Sequence, residues 1–254
     1  MDLRLILRLL RVRFKENMEY RIGWVFMFLT TLTSILTGIV FWFMLSDGEG
    51  FHGWSYPELI LLSTIGLLSR EVTYVIGIDP WIKGLFKERL TVYMTKPVGL
   101  LRYLCLRHGD LLSTPGILTS LVTLWLVPHV YQVSVDLPLF LVFFIFSVFI
   151  HAALFFIILI IGLYWYDTAE AVDEFIFSLL FICRNPIDKI KTGLFSVILY
   201  PLLFVSVFPS HAFAGELIAS PVYISEVFLG FILIFWIEYR LWERGLKRYE
   251  SFGG

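Results

Sequence analysis

The chain has 254 residues, of which 58% are hydrophobic and only 16% charged, with a mean hydropathy of +0.82. Soluble domains contain ~45–50% apolar and ~25% charged residues, and their surfaces could not hide this apolar surplus from water. The formal net charge of −1 argues against a nucleic-acid partner, which normally requires a basic excess. The composition therefore predicts an integral membrane protein in contact with membrane lipid.

Six apolar stretches are long enough to cross a hydrocarbon core of ~30 Å, which takes about 20 helical residues. They lie at about 22–45, 59–78, 111–130, 138–166, 192–209 and 222–240. The sequence thus predicts an all-α protein with six transmembrane helices in a single transmembrane domain, 1–254.

Lysine and arginine indicate the orientation of these spans, because cytoplasmic segments retain positive charge. Every lysine and arginine except Arg70 lies in or at the edge of four segments, which are 1–21, 79–110, 167–191 and the tail after the sixth span. The three loops between these segments contain neither residue type. Both termini are therefore predicted to be cytoplasmic, and Cys105 and Cys183, on the same side, to be free thiols.

Two segments read as amphipathic helices at the membrane surface. In 1–21, a leucine-rich face lies beside a stripe of basic residues at helical spacing, which are Arg4, Arg8, Arg11 and Lys15. This interfacial helix would either bind anionic lipid headgroups or also pack against a cytosolic partner. In the second cytoplasmic loop, 167–191, the apolar stretch 175–183 is too short to cross, so we expect a helix at the cytoplasmic interface.

Ionisable groups inside a bilayer are costly and are candidates for function. Arg70 and Glu71 are adjacent and project ~100° apart on a helix, so they are not expected simply to neutralise each other. Either each needs another partner, or the helix projects further into the cytosol than residue 78. Their role is then structural pairing or snorkelling, or the lining of a polar pathway. Glu226, near the outer end of the sixth span, is either an interfacial carboxylate or a gate residue. His151, in the fourth span, is predicted to be a hydrogen-bonded packing residue.

Prolines interrupt the fifth span and the residues after it. Pro201 lies within the span, and Pro209 ends it shortly before His211 and Gly215. Because proline breaks the helical hydrogen-bond ladder, we expect a re-entrant outer hairpin between spans five and six. The alternative is an ordinary kinked span with a short loop.

The longest cytoplasmic loop, 79–110, opens with Asp79-Pro80, a helix-start signal. An amphipathic helix is predicted from there to Pro97. Such a helix, held between two spans, either receives a push from a cytosolic partner or only links the spans.

Enzymatic chemistry is not indicated. No Gly-Lys pair exists, so the Walker A phosphate loop is absent, as is Gly-x-Ser-x-Gly. The five histidines show no metal-ligand spacing. We therefore expect no catalytic, ATP-binding or metal residues and no cofactor in this chain.

Short motifs along the whole chain resemble the bacterial six-span branch of the ABC-2-type exporter permeases, which carry no fused ATPase. These motifs are Glu19-Tyr20-Arg21, Gly53-Trp54-Ser55 with Glu58, Leu90, Tyr93, Lys96 and Pro97, Arg184-Asn185-Pro186-Ile187, Pro209 with Gly215, and Trp242, Gly245-Leu246-Lys247, Tyr249, Ser251 and Gly253 in the tail. The branch usually has glycine at the place of Glu88 and an acidic residue at the place of Thr91.

The resemblance implies an exporter of a hydrophobic or amphipathic substrate, in multidrug or lipid efflux, in the plasma (inner) membrane. A second permease subunit, identical or paralogous, and a cytosolic ABC ATPase dimer that binds ATP and Mg would complete it. The implied ATPase-coupling residues are Leu90, Tyr93, Met94, Lys96 and Pro97. The pathway or gate candidates are Arg70, Glu71, Pro201, Pro209, His211 and Glu226. The competing class is an ATP-independent carrier or intramembrane enzyme.

Overall fold

The structure is a computed structural model that describes residues 3–47, 50–51, 53–76, 100, 103, 109–186, 200–215 and 221–248. The predicted coupling residues, 90–97, lie outside these described residues. Their assignment therefore stays a prediction.

Helices make up nearly all of the described regular structure. In chain order they are α1 (Leu3–Glu19), α2 (Arg21–Ser46), α3 (Tyr56–Ile76), α4 (Thr114–Tyr131), α5 (Leu137–Tyr164), α6 (Tyr166–Ile182), α7 (Val207–Phe213) and α8 (Pro221–Arg248). Short 3₁₀-helices precede α4 (Leu111–Ser113) and α7 (Tyr200–Phe204). Between α2 and α3, strands β1 (Gly50–Phe51) and β2 (Trp54–Ser55) form a small antiparallel hairpin.

Five helical segments in the described part of the chain are long and apolar enough to cross a membrane. They are Arg21–Ser46, Tyr56–Ile76, Leu111–Tyr131, Leu137–Tyr164 and Pro221–Lys247. Each begins within a few residues of a predicted span, because the length of an apolar stretch is the main sequence evidence for a transmembrane helix. Asp110 and Asp136 fix two of the starts, since their carboxylates accept the backbone N–H groups of Leu112 and Leu139. The all-helical, multi-pass prediction is thereby confirmed.

α3 and α5 form the centre of this helical bundle. About two thirds of the most apolar window of each is buried (67% in α3, 61% in α5), against 11% in α2 and in α8. α3 packs most extensively against α4, and α5 against α8 and α6. The outer surfaces of α2 and α8 therefore present large apolar side chains such as Met44 and Leu229, as expected of helices that face lipid or another subunit.

The predicted fifth span differs from the structure. Residues 192–199 lie outside the described residues, but 200–209 are not one helix. A 3₁₀-helix ends at Phe204, and α7 begins at Val207 after a break at 205–206. Pro201 lies in the 3₁₀-helix and Pro209 in the first turn of α7, where proline is tolerated because no helical N–H bond is lost. The described segment 200–213, called the outer hairpin below after the prediction made for it, is thus broken before Pro209 rather than after it.

α6 also differs from the expected surface helix. Trp165 leaves the helical conformation, and α6 then packs along α5. Its residues Ile176 and Leu180, and Cys183 just after it, are buried in the core. The Ser206 hydroxyl donates to the Cys183 carbonyl, and the neighbouring Val205 carbonyl accepts a hydrogen bond from Ser147, in the outer half of α5. The carboxyl end of α6 therefore packs on the bundle with one face, whereas Phe175 and Phe181 on its other face are exposed.

The orientation predicted from the charges can be tested with cysteines at opposite ends of the bundle. Val135→Cys should label from outside intact cells with a membrane-impermeant maleimide, because Val135 is 45% exposed in the loop between α4 and α5. Lys247→Cys, exposed at the other end, should label only after permeabilisation. Both variants need Cys105→Ser, whereas the native Cys183 thiol is free and buried. Labelling of both positions from outside would refute the cytoplasmic C-terminus.

Candidate functional site

Arg70 and Glu71 pair directly with each other in α3. Nε of Arg70 donates to Oε1 of Glu71 at 3.2 Å, and Nη2 makes a second, shorter hydrogen bond to the same oxygen. The expectation that these adjacent residues would not simply neutralise each other is wrong. Both side chains are long enough to bend towards each other across the ~100° that separates their Cβ atoms.

The carboxylate of this pair is sealed inside the bundle. The Glu71 side chain is fully buried, whereas that of Arg70 remains 18% exposed. Gly116 of α4 lies against it, and a Cβ there would come within 3.0 Å of both Glu71 Cγ and Thr31 Oγ1. Glycine thus lets α4 approach α3 closely without displacing these side chains. The second carboxylate oxygen, Oε2, has no hydrogen-bond partner within the described part of the chain.

A second guanidinium, that of Arg184, reaches this region from the end of α6. Its aliphatic stem crosses Gly66 of α3, where a Cβ would lie 2.8 Å from Arg184 Cγ. Its guanidinium lies 5.9 Å from the centre of the Phe181 ring, close enough to Arg70 and Glu71 to interact with both electrostatically. Arg184 thus adds a second positive charge to a region where the Glu71 carboxylate is already paired with Arg70.

His151 borders the same region. It is buried, and its Nδ1 lies 3.0 Å from the Ser147 carbonyl oxygen. The prediction of a hydrogen-bonded packing histidine is confirmed.

α1 is attached to the inner end of α3 by Arg13. Nη2 of this buried arginine donates to the Val75 carbonyl at 2.6 Å, and its guanidinium covers Gly109 so closely that no Cβ would fit there. The neighbouring Asp110 caps the 3₁₀-helix before α4, and its backbone N–H donates to the Tyr74 carbonyl. Burial lowers the pKa of Arg13, which the charge of Asp110 opposes, and burial raises the pKa of Asp110 against its hydrogen bonds to Leu112 and Ser113.

Sequence reasoning therefore found two of the five residues of the inner charged cluster, Arg70 and Glu71. The other three are Arg13, Asp110 and Arg184. Arg13 was not singled out. The available signal was that it lies off the basic stripe of α1, on a different face of the helix. Asp110 was readable as a helix cap. Arg184 carried no local signal of burial, because its position depends on where α6 ends.

The outer hairpin formed by the 3₁₀-helix and α7 closes the opposite end of the bundle. The His211 ring in α7 lies 4.1 Å from the ring of Trp54, the fully buried tryptophan of β2. The loop between α4 and α5 holds the end of α7, since the Asp136 N–H donates to the Phe213 carbonyl and the Ser134 hydroxyl to that of Ala214, both at 3.1 Å. The hairpin is thus fastened to two loops.

The candidate residues do not form one site. Arg70 and Glu71 lie in the inner cluster, whereas Pro201, Pro209 and His211 lie in the outer hairpin. Glu226 lies apart on an exposed face of α8. Among the residues that the structure describes, no three His, Cys, Asp or Glu side chains approach closely enough to share a metal ion.

The Arg70–Glu71 pair predicts asymmetric effects of charge removal. Arg70→Gln leaves a fully buried carboxylate unpaired and should lower the free energy of unfolding by about 3–5 kcal/mol. Glu71→Gln should cost less, because the partly exposed Arg70 can extend towards the membrane surface. The double variant should cost less than the sum of the two. Unfolding of the purified chain in detergent measures all three, with the exposed Glu226→Gln as the control. Additive effects, or a larger effect of Glu71→Gln, would contradict the pairing.

Comparison with known proteins gives the family. The family model described as ABC-2 family transporter protein matches residues 28–253. No curated protein matches the sequence. The match covers every membrane-crossing segment described above, apart from the first residues of α2. The chain therefore belongs to the ABC-2 family of transporter proteins, as a multi-pass membrane component of a kind that is typically a non-catalytic permease.

Proposed function

We propose that the chain is the permease subunit of an ATP-binding-cassette exporter that moves a hydrophobic or amphipathic substrate out of the cytoplasm across the plasma membrane. The observation that most supports this proposal is the family match over residues 28–253, in a chain that lacks a Gly-Lys phosphate loop. The energy for transport then comes from separate cytosolic ATPase subunits, which bind ATP and Mg. A second permease subunit, identical or paralogous, completes the transporter.

The connectivity of the inner cluster supports coupling to such an ATPase. The first cytoplasmic loop, 79–110, continues directly from α3, the helix of the Arg70–Glu71 pair. The same loop ends at Asp110, beside Arg13, which binds the last turn of α3. A displacement of this loop would therefore act on both ends of the charged cluster, because α1, α3 and α4 meet there.

The outer hairpin is suited to act as the gate in this proposal. It is short and broken at 205–206, and its side chains Phe204, Val205 and Phe213 are buried in the core of the bundle. A break of this kind can act as a hinge. Pro209 and His211 would move with α7, whereas the central helix α3 would stay in place.

The coupling role of the first cytoplasmic loop can be tested with the double change Tyr93→Ala and Met94→Ala. If these side chains are anchors in a cleft of the ATPase, their loss should release the ATPase on purification or abolish substrate-stimulated hydrolysis. Buried anchors of this type contribute about 1–4 kcal/mol each to an interface. Membrane insertion of the permease should be unchanged, because neither residue lies in a predicted span.

The matched control is Met44→Ala with Val130→Ala, two highly exposed apolar residues at the ends of α2 and α4 away from the first loop. It should retain the ATPase and its stimulation. Wild-type retention and transport in the Tyr93/Met94 variant would move the coupling surface to the second loop, 167–191. Transport that persists without any ATPase subunit would refute the exporter assignment itself.

A further inference from the structure

A groove between α5 and α8 has no role in the proposed function. Its volume is about 770 Å³, within the ~300–1,000 Å³ of small-molecule sites. Its walls are almost entirely aliphatic. The lining aliphatic residues are Ile157, Ile160 and Ile161 of α5, and Ile234, Ile237 and Leu241 of α8.

The groove is built into the packing of the two helices. Towards the middle of the bundle they meet where the rings of Phe146 and Phe231 stack at 5.1 Å. Towards the inner end they meet at Gly245, where a Cβ would lie 3.0 Å from Leu163 Cδ1, and the Tyr164 hydroxyl donates to the Leu241 carbonyl at 3.2 Å. The helices also touch where the rings of Phe156 and Trp242 lie 5.5 Å apart, so the groove runs alongside the helix contact and is already formed without a ligand.

One carboxyl group, that of Glu238, lies in this aliphatic groove. The residue is 5% exposed, and neither of its carboxylate oxygens has a hydrogen-bond partner within the described residues. Its placement differs from that of Glu71, which is equally buried but bonded to an arginine. A buried carboxylate without a donor is among the costliest groups in an apolar environment. What the groove lacks is a hydrogen-bond donor, ideally one with positive charge.

The mouth of the groove carries features that fit an amphiphile. The rings of Tyr164 and Trp165 border it, and Trp165 is largely exposed. Aromatic faces attract cations as well as apolar chains. Arg244 and Lys247 are also at the mouth and are exposed, which is where they could meet a lipid phosphate. A phosphate, however, would leave Glu238 unpaired and be repelled by it, so the deep carboxylate favours a cation.

We propose that this groove binds a lipophilic amine, with the ammonium group on the Glu238 carboxylate and the hydrocarbon chain against the isoleucines of α5 and α8. The ammonium supplies the donors that Glu238 lacks, and the chain replaces lipid or empty volume in the aliphatic part. Entry is from the side, between the two helices. Binding requires no ATPase, so its failure would leave the proposed function untouched.

The test is binding of radiolabelled dodecylamine to the full chain in phosphatidylcholine nanodiscs, corrected for empty nanodiscs. Glu238→Gln keeps the shape of the side chain and removes its charge, and it should weaken binding at least tenfold. Glu174→Gln, which removes an exposed carboxylate from α6, should leave binding unchanged. Unlabelled dodecylamine should compete fully, whereas dodecanol, which lacks the charge, should compete at least tenfold less well.

A second variant keeps the proposal falsifiable if Glu238 also affects folding. Ile237→Trp fills the groove from a partly exposed position and should abolish dodecylamine binding while the chain remains monodisperse on gel filtration. Equal affinity of wild type and Glu238→Gln, or equal competition by dodecanol, would overturn the proposal. Preferential binding of dodecyl phosphate that is lost in Arg244→Gln with Lys247→Gln would likewise overturn it and identify a phospholipid site.

Discussion

Charge inside an apolar helical bundle must find a partner or reach water, and this constraint organises the inner half of the molecule. The fully buried Glu71 is tolerated because Arg70 donates two hydrogen bonds to it. Glycines at 66 and 116 then allow α6 and α4 to close over the pair. A Cβ at position 66 would displace the Arg184 side chain, and one at position 116 would press on Glu71 and Thr31.

The two ends of the bundle are held by different kinds of contact, and this difference suits a transporter. The inner end combines charges from α1, α3, α4 and α6, which are expensive to separate once buried. The outer hairpin packs apolar side chains such as Phe204 and Val207 into the core and is also held by the Trp54–His211 ring contact and a few hydrogen bonds. In the proposed transporter, the break at 205–206 is where this segment would bend.

The sequence was most informative where long apolar runs decide the structure and least informative where packing does. Spans one to four and six were predictable from length alone, and Asp110 and Asp136 marked two helix starts. The fold of 166–186 and 200–213 was not predictable, because short apolar stretches interrupted by proline suit a surface helix, a span or a hairpin equally well. Glu238 lies near the predicted end of the sixth span. Its burial could not be predicted, because it depends on the continuation of α8 to Arg248 and on its packing against α5.

The central claim is that the chain runs back into the bundle after Trp165, so that the end of α6 meets the break in the outer hairpin. Ser206→Cys, combined with the native Cys183 in a Cys105→Ser background, tests this directly, because the Ser206 hydroxyl binds the Cys183 carbonyl. Iodine, a membrane-permeant oxidant small enough to reach buried thiols, should join the two cysteines as a disulfide in membranes. The control pair, Cys183 with Ser225→Cys on the exposed face of α8, should not react. Failure of the 183–206 pair to cross-link, with both thiols shown to react singly after unfolding, would contradict the account.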